Sequence, residues 1–478
     1  MPPGVTGSRL EGAVSDSPAA RAGGSRRDMA AVNSKDVQAR ADRPAIAVVG
    51  GGISGIATAY FLKKQGFAPD LFEAAPAIGG RTGSLDLNGK MIDIGGKNIG
   101  RNYPLFRAFA DDMGGGAFEY FGINSSTIID GRLFTLDSDS RFRSVAHLVR
   151  MTGAASFARF VYYALRTRAN PDNGFLDGPF FRRLSDRRDH QPITRYFGGR
   201  FVTNFLRPIT IRMNGSEPEA YHLGNFGSNI KMVLDCYDQL THGMHRVLNN
   251  FAGQFSIYTG RKITRLLTGN GRVTGIRSED AAGRQQDHAY DTVFLCVPAV
   301  IAAEIVAAAA ADLSRQLGKI QYNPVALIVA KYNRAIFTSQ VRALVFGRDS
   351  LISNAGVYGI NDLDMVRYTL SGRIARQTLS DRCDPEALVG RAESELNRYV
   401  PVQSKERVGY VYRYFPIGLC SYLPFHHRFM ADVDRLRRQI QGLHLAGDYV
   451  RGASLEACFR SGKESAEAFV RHQEWPGR

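Results

Sequence analysis

Residues 1–43 carry few large apolar side chains and are dominated by Ala, Arg, Gly and Ser. Such a stretch buries too little surface to offset the entropy of ordering it, so disorder is expected there. Met1 and Met29 both stand as candidate starts. The pattern changes at residue 44. Residues 45–49 form an apolar, β-branched run, and 53–65 space their apolar side chains as a helix does before Gly66 closes them. A strand follows at 71–73, completing a β-α-β unit of about thirty residues. From 103 to 232 the chain turns helical, aromatic and Arg-rich, and strands are expected at 255–258, 263–267, 273–277 and 292–296. Residues 299–430 mix helices with strands at 326–332 and 408–414, and 443–470 reads as a strand, a Gly-Asp turn and a long helix. The alanine-rich run 298–313 contains Glu304 and reads as one buried helix, since a membrane span needs about 18–20 uninterrupted apolar residues.

The first expected strand runs into Gly50-Gly51-Gly52-Ile53-Ser54-Gly55, which fits G-x-G-x-x-G. In that pattern Gly50 allows the tight turn, Gly52 lets a pyrophosphate approach the backbone, and Gly55 lets helix and sheet pack closely. The helix start, with Ser54 in its first turn, offers free N–H groups and a partial positive charge to phosphates. Glu73, eighteen residues after Gly55, is placed to accept from ribose hydroxyls. These features indicate a dinucleotide site without separating NAD from FAD.

Ile78-Gly79-Gly80-Arg81-Thr82 and Ile92-Asp93-Ile94-Gly95-Gly96 follow, and Leu443-His444-Leu445-Ala446-Gly447-Asp448 with Gly452, Glu456, Gly462 and Ala466 close the chain. Together these segments resemble the FAD-dependent amine oxidase superfamily, which includes monoamine oxidases, phytoene desaturases and protoporphyrinogen oxidases. The resemblance spans most of 43–470 and is specific at both ends. It implies an α/β fold: a Rossmann-like three-layer ββα FAD-binding domain, from 44–100, 232–298 and 430–475, interleaved with an α+β substrate-binding domain from 101–231 and 299–429. It further implies that Gly80, Arg81 and Thr82 run beside the FAD pyrophosphate and ribityl chain, and that Gly95 and Gly96 lie near the isoalloxazine ring. By the same resemblance Ile263 lies near the adenine, Gly447 and Asp448 hold the ribityl–phosphate region, and Ser454 and Leu455 open a helix toward the flavin pyrimidine edge. Asp448 taken alone would equally suit a helix cap.

Many amine oxidases of this family carry a lysine five residues beyond the proline that ends the strand matching 291–298. Here that position is Ala303, and the next lysine is Lys319. The segment 197–226, together with Arg413, Pro416, Tyr422 and His426, resembles protoporphyrinogen oxidases and desaturases instead. The catalytic candidates are Lys97, Arg413 and Tyr422. A desolvated Lys97 suits acid–base work, and a loop-stabilising lysine is the alternative; Asn98 suits a similar role or a turn. Arg413 suits a substrate carboxylate or an internal salt bridge, and Tyr422 either walls a cavity or packs the core. Cys420 raises covalent flavin attachment against a plain buried thiol.

Charge adds one feature. The chain carries a net charge of +16, and residues 141–212 hold fourteen Arg and no Lys against four Asp. Such a segment suits an anionic substrate, an acidic carrier protein or an anionic membrane surface, or is a solvated basic face. No nucleic-acid motif accompanies it, so no nucleic acid is expected. The five cysteines form no C-x-x-C pair. They are expected to be reduced thiols in a cytoplasmic protein, peripherally membrane-bound at most, with no metal site.

The resulting expectation is an FAD-dependent oxidoreductase that desaturates or dehydrogenates a hydrophobic or conjugated small molecule by hydride transfer to flavin N5. No second G-x-G-x-x-G follows a strand, so electrons are expected to leave to oxygen or another small acceptor. The alternatives are an amine or amino-acid oxidase, a non-redox flavin isomerase, and a binding protein resembling GDP-dissociation inhibitors.

Overall fold

The computed structural model describes residues 43–121, 125–129, 132–136 and 141–472. The tail expected at 1–43 falls outside these residues except for Arg43.

The strand Ile46–Val49 is buried at all four positions because it lies mid-sheet. A five-stranded parallel sheet runs in the order Ser256–Tyr258, Asp70–Phe72, Ile46–Val49, Thr292–Leu295, Leu443–Leu445. Strands covered on both faces show continuous apolar runs rather than alternation, which explains IAVV and TVFL. Alternate side chains serve two different layers. Ile46, Val48, Leu71 and Phe294 pack on the helices Ile53–Lys64 and Leu455–His472. Ala47, Val49, Phe72, Val293 and Leu295 share a core with Ile263, Leu266, Val273 and Ile276 of an antiparallel sheet, Lys262–Gly269, Arg272–Glu279 and Gln285–Ala289. The three expected layers, ββα, are present.

A second sheet of seven strands has the order Arg407–Ser421, Gln321–Tyr332, Met365–Leu370, Ile352–Val357, Ala343–Val345, Ser125–Ile129, Arg132–Leu136. All its pairings are antiparallel except that of Ala343–Val345 with Ser125–Ile129. Its two long strands extend beyond the expected 326–332 and 408–414. Their ladder is interrupted where Asn323 faces Leu419 and Val325 faces Phe415, leaving Pro324 opposite 416–418. Neither Pro324 nor Pro416 has an N–H to donate, so the ladder bulges there. Helices including Ala154–Ala169, Pro179–Arg188, Arg207–Asn214 and Phe226–Leu234 occupy much of the stretch 103–232 expected to be helical, but that stretch also holds the strands Phe118–Tyr120, Ser125–Ile129 and Arg132–Leu136, which differs from the expectation.

A second expected element differs. The alanine-rich run forms two helices, Ala299–Val306 and Ala311–Leu317, because the chain turns at 307–309 and Ala310 leaves the helical region with φ −153° and ψ 80°. Packing overrides alanine's helix propensity: the second helix docks on His426–Arg437.

Candidate cofactor site

The glycines at the end of the first strand divide by what surrounds them. Gly50 has φ +101°, and a Cβ there would meet Val297 Cγ1 at 2.8 Å and the Cys296 carbonyl at 2.9 Å. A Cβ on Gly55 would lie 1.8 Å from the Gly50 carbonyl oxygen. A Cβ on Gly52 meets nothing within 4 Å. Two of these glycines therefore serve the fold, and the third keeps a space clear at the start of helix Ile53–Lys64, where N–H groups point outward. Ser54 is buried in that first turn, its carbonyl accepting from Thr58 Oγ1 at 2.8 Å. The Glu73 carboxylate accepts from the Gly51 N–H at 2.7 Å and the Ala75 N–H at 2.8 Å, fixing it beside the turn. Arg261 N–H donates to the Glu73 carbonyl at 2.9 Å and leads into the strand holding buried Ile263.

The second glycine turn docks on the first. Gly79 N–H donates to the Gly51 carbonyl at 2.8 Å, and a Cβ on Gly80 would come within 3.2 Å of Gly52 Cα. Thr82 Oγ1 closes this turn onto the Gly79 carbonyl at 2.7 Å. Arg81 Nη1 donates to Asp448 Oδ2 at 2.7 Å and to the Gly418 carbonyl at 2.9 Å. That carbonyl belongs to the bulge at Pro416, so the interrupted ladder presents an acceptor to the cradle. Asp448 also accepts from the Tyr322 hydroxyl at 2.8 Å, and Tyr322 accepts from the Ala299 N–H at 3.1 Å. Burial works against the Arg81 charge, but Asp448 outweighs it and raises the guanidinium pKa. Burial pushes the Tyr322 hydroxyl well up, so it remains a donor. Gly447 is anchored by its N–H on Ser461 Oγ at 3.0 Å.

The third turn continues the line. Gly96 N–H donates to the Arg81 carbonyl at 2.9 Å, and a Cβ on Gly95 would fall 2.0 Å from that oxygen. Gly96 is exposed, with Thr82 Cγ2 and Leu455 Cδ2 as the nearest neighbours of a Cβ, at 3.5 and 4.0 Å. Ser454 Oγ accepts from the Ala457 N–H at 3.1 Å, capping helix Leu455–His472. Arg367 Nη2 donates to the Gly95 carbonyl at 2.7 Å from the seven-stranded sheet. Asp93, within the same motif, is occupied elsewhere: its carboxylate accepts from Ser84 Oγ at 2.6 Å and the Met244 N–H at 3.0 Å.

The remaining candidates are placed as follows. Lys97 is 4% exposed, donates to Gln239 Oε1 at 2.8 Å and to the Tyr358 carbonyl, and lies 3.6 Å from the Phe121 ring centroid. Burial and then Arg367 push its pKa well down. Asn98 is half-buried next to it. Arg413 is exposed and makes no hydrogen bond or ion pair among the described residues; its guanidinium lies 5.7 Å from the Phe415 ring. Tyr422 is 3% exposed in the core, its ring 5.4 Å from that of His426. Burial pushes Cys420 well up and Cys296 and Cys458 to about 12, so these buried thiols are protonated at neutral pH. Ala303 is 7% exposed in the core, and Lys319 turns away to Gln316 Oε1 at 2.6 Å. A cleft of about 660 Å³ between Lys90, Gln239, His245 and Asp362 contains none of the glycine turns.

Tyr322, the Gly418 carbonyl and Arg367 were not singled out by sequence reasoning. Arg367 alone had a local signal, a cation inside the apolar strand MVRYTL.

The clear space at Gly52, the cation–acid pair at Arg81 and Asp448, and the exposed backbone at Gly96 form one continuous line of contacts. A dinucleotide with a flavin at its far end fits that line. Residues 53–469 match the family of flavin containing amine oxidoreductases. Among curated proteins, protoporphyrinogen oxidase 2 (chloroplastic/mitochondrial) of Arabidopsis thaliana is 39% identical over 69 residues, 14% of each chain. Coproporphyrinogen III oxidase of Staphylococcus aureus is 23% identical over 228 residues, 45% of this chain and 46% of that protein. These matches thus span less than half the length of either relative. Cyclohexylamine oxidase of Brevibacterium oxydans shares the fold with a TM-score of 0.70 at 16% identity, over 90% of this chain and 100% of that one. With the family match covering most of the chain, from within the opening glycine motif through the closing Gly447-Asp448, the chain belongs to the flavin containing amine oxidoreductase family, and its cofactor is FAD.

Proposed function

We propose that the protein is an FAD-dependent oxidoreductase that dehydrogenates or desaturates a hydrophobic or conjugated organic substrate. The observation that carries this reading over an amine oxidase is Ala303, packed with Ala302, Ile305 and Val306 where many family members have a lysine. FAD supplies the two-electron acceptor when bound. The protein's part is to hold and orient. Gly50, Gly52, Ser54 and Gly55 present the helix N-terminus to the phosphates, with Gly80, Arg81 and Thr82 beside them, and Glu73 receives the ribose. Ile263 backs the adenine, and Gly447 with Asp448 sets the orientation of Arg81. Gly95, Gly96, Ser454 and Leu455 border the ring, where the helix dipole favours negative charge. Lys97, clasped by Gln239 and Tyr358, positions the loop after Gly96.

Anaerobic mixing with porphyrinogens, polyenes and amines tests this. Loss of flavin absorbance with a porphyrinogen or polyene is expected, and faster loss with an amine overturns the substrate assignment. The second reading, oxidation of an amine or amino acid, is favoured by the unpaired guanidinium of Arg413.

Helix Ala154–Ala169 exposes Val161, Tyr162 and Leu165 by 37, 51 and 59%, beside exposed Arg159, Arg166 and Arg168. This mixture supports peripheral contact with an anionic membrane surface. Among the described residues no helix is long and apolar enough to cross a membrane. Sedimentation with anionic but not neutral vesicles is the expected result.

A further inference from the structure

The two faces of the seven-stranded sheet are covered differently. On one face Ile328, Val366, Tyr368 and Leu370 share a core with Val389 and Ala392 of helix Pro385–Leu396. On the other, Leu327, Val329, Met365 and Val411 pack on Leu87, Ile92 and Ile94, from the hairpin Ser84–Leu87, Lys90–Asp93 and the residue that follows it. The hairpin does not cover this second face completely. The ladder sets Asn354, Thr369, Leu327 and Arg413 side by side in one row on it. Thr369 and Asn354 stand on strands flanked by other strands on both sides, yet both are only half-buried. Side chains of mid-sheet strands stay accessible only where nothing packs over them, so an opening lies above the row.

Contacts on either side of the row place the opening. Arg367, two residues before Thr369 on the same face, donates to the Gly95 carbonyl at 2.7 Å and to the Asp93 carbonyl at 3.3 Å. Val325, two residues before Leu327, lies on the other side of the row. A Cβ on Gly418 would meet Val325 Cγ1 at 2.5 Å, and the Gly418 carbonyl accepts from Arg81 at 2.9 Å. Arg81 and Gly96 are themselves joined, the Gly96 N–H donating to the Arg81 carbonyl at 2.9 Å. The row therefore faces the stretch of the cofactor line between Arg81 and Gly95–Gly96. Beyond Thr369, Ser371 Oγ donates to the Ile211 carbonyl at 3.4 Å, so helix Arg207–Asn214 closes that end.

The polar groups of the row have spare donors. Thr369 makes no side-chain hydrogen bond among the described residues, and Asn354 only accepts one, from Ser353 Oγ at 3.3 Å. The Asn354 amide N–H groups are therefore free beside the Thr369 hydroxyl. Arg367 is already engaged by two carbonyls, and Arg413 stands two strands from Thr369, about 10 Å across the sheet, so the pair itself offers no counter-charge. An uncharged oxygen with two lone pairs suits such a pair better than a carboxylate, which costs far more to desolvate. We propose that Thr369 and Asn354 hydrogen-bond a carbonyl oxygen of the substrate, whose apolar body lies on Leu327, Val325 and Phe415. The substrate is then a hydrophobic or conjugated ketone, ester or amide rather than a pure hydrocarbon. This deepens, and rests on, the reading of the chain as an FAD oxidoreductase.

The test uses the FAD-loaded protein, without oxygen, and two probes of one outline: 1-acetylnaphthalene and 1-isopropenylnaphthalene, which differ by an oxygen against a CH2. Binding is followed by the change in the visible flavin spectrum and, independently, by the rise in thermal midpoint. The ketone is expected to bind at least about tenfold more tightly, because a site with unmet donors rejects the analogue that cannot satisfy them. Thr369→Val and Asn354→Leu keep the outline of the side chains and should each shrink that ratio to about threefold or less at unchanged FAD content. Equal or tighter binding of the hydrocarbon by the wild type overturns the proposal, as does an unaltered ratio in both variants. Loss of FAD from variants that keep their thermal midpoint overturns it too, by assigning the pair to the cofactor. The wild-type ranking needs no variant to fold. A wild-type chain that takes up no FAD overturns the oxidoreductase reading instead, and the thermal midpoint still ranks the two probes.

Discussion

The two ends of the cofactor line are built from different materials. At the phosphate end, contacts come from backbone: the Gly50–Gly55 turn, the Gly79 N–H on the Gly51 carbonyl, and the start of helix Ile53–Lys64. At the ring end, side chains delivered by distant elements join the Gly95–Gly96 backbone: Arg367 from a sheet strand holds the Gly95 carbonyl, and Leu455 from the closing helix lies beside Gly96. A backbone-built site tolerates few residue types and so leaves a compact signature. A side-chain-built site leaves none locally, and there specificity can change without disturbing the grip on the cofactor.

The largest effect expected at the phosphate end is on the fold itself. Gly55→Ala places a methyl group 1.8 Å from the Gly50 oxygen, and a loss of about 3 kcal/mol or more should appear as a lower urea midpoint. Next is a pH effect in the core beside Tyr422 and Tyr449. His426 is buried, and its ring bonds the Tyr449 carbonyl at 2.7 Å. Burial lowers its pKa from 6.5 to about 4. Because the folded value lies below the unfolded one, the unfolded chain binds the proton first. Stability is full above about 6.5 and declines by about 3 kcal/mol as pH falls to about 4. His426→Phe should flatten that part of a stability–pH profile.

Asp448→Asn leaves Arg81 short of its counter-charge, with Asp448 2% and Arg81 34% exposed. A loss of about 2 kcal/mol is expected, allowing for the partly accessible arginine, and flavin per chain should fall with it. Tyr322→Phe removes the hydroxyl joining Ala299 to Asp448, for about 1 kcal/mol in the same assay. The smallest stability change sharpens the comparison most. Gly52→Ala meets no neighbour and should stay within about 0.5 kcal/mol of wild type, while flavin affinity falls at least about tenfold by equilibrium dialysis. If Gly52→Ala destabilised the chain as much as Gly55→Ala, the division between structural and cofactor glycines would be wrong.

The same division explains what was legible beforehand. The β-α-β opening, the three glycine turns and the closing Gly447-Asp448 could be read because each is local, and only glycine or a short acid suits those positions. The structure brings them onto one line, with Arg81 reaching Asp448 across 367 residues of sequence. Tyr322 and the Gly418 carbonyl were not legible, since their role depends on a bulge between strands far apart in the chain. Asp93 looked like part of a cofactor motif, yet its carboxylate holds the start of helix Gly243–Ala252. The Arg-rich segment read as one feature, but folding disperses it: Arg182 pairs with Asp177, Arg207 with Glu217 and Glu219, and Arg166 and Arg188 lie over the rings of Phe180 and Tyr196.

By itself, then, the sequence settles the opening β-α-β unit and the dinucleotide grip, because apolar runs and glycine placement act within a few residues and need no partner to be recognised. Only the tertiary structure decides which buried charges are neutralised. That depends on low-dielectric contacts between segments hundreds of residues apart, as where Arg81 meets Asp448.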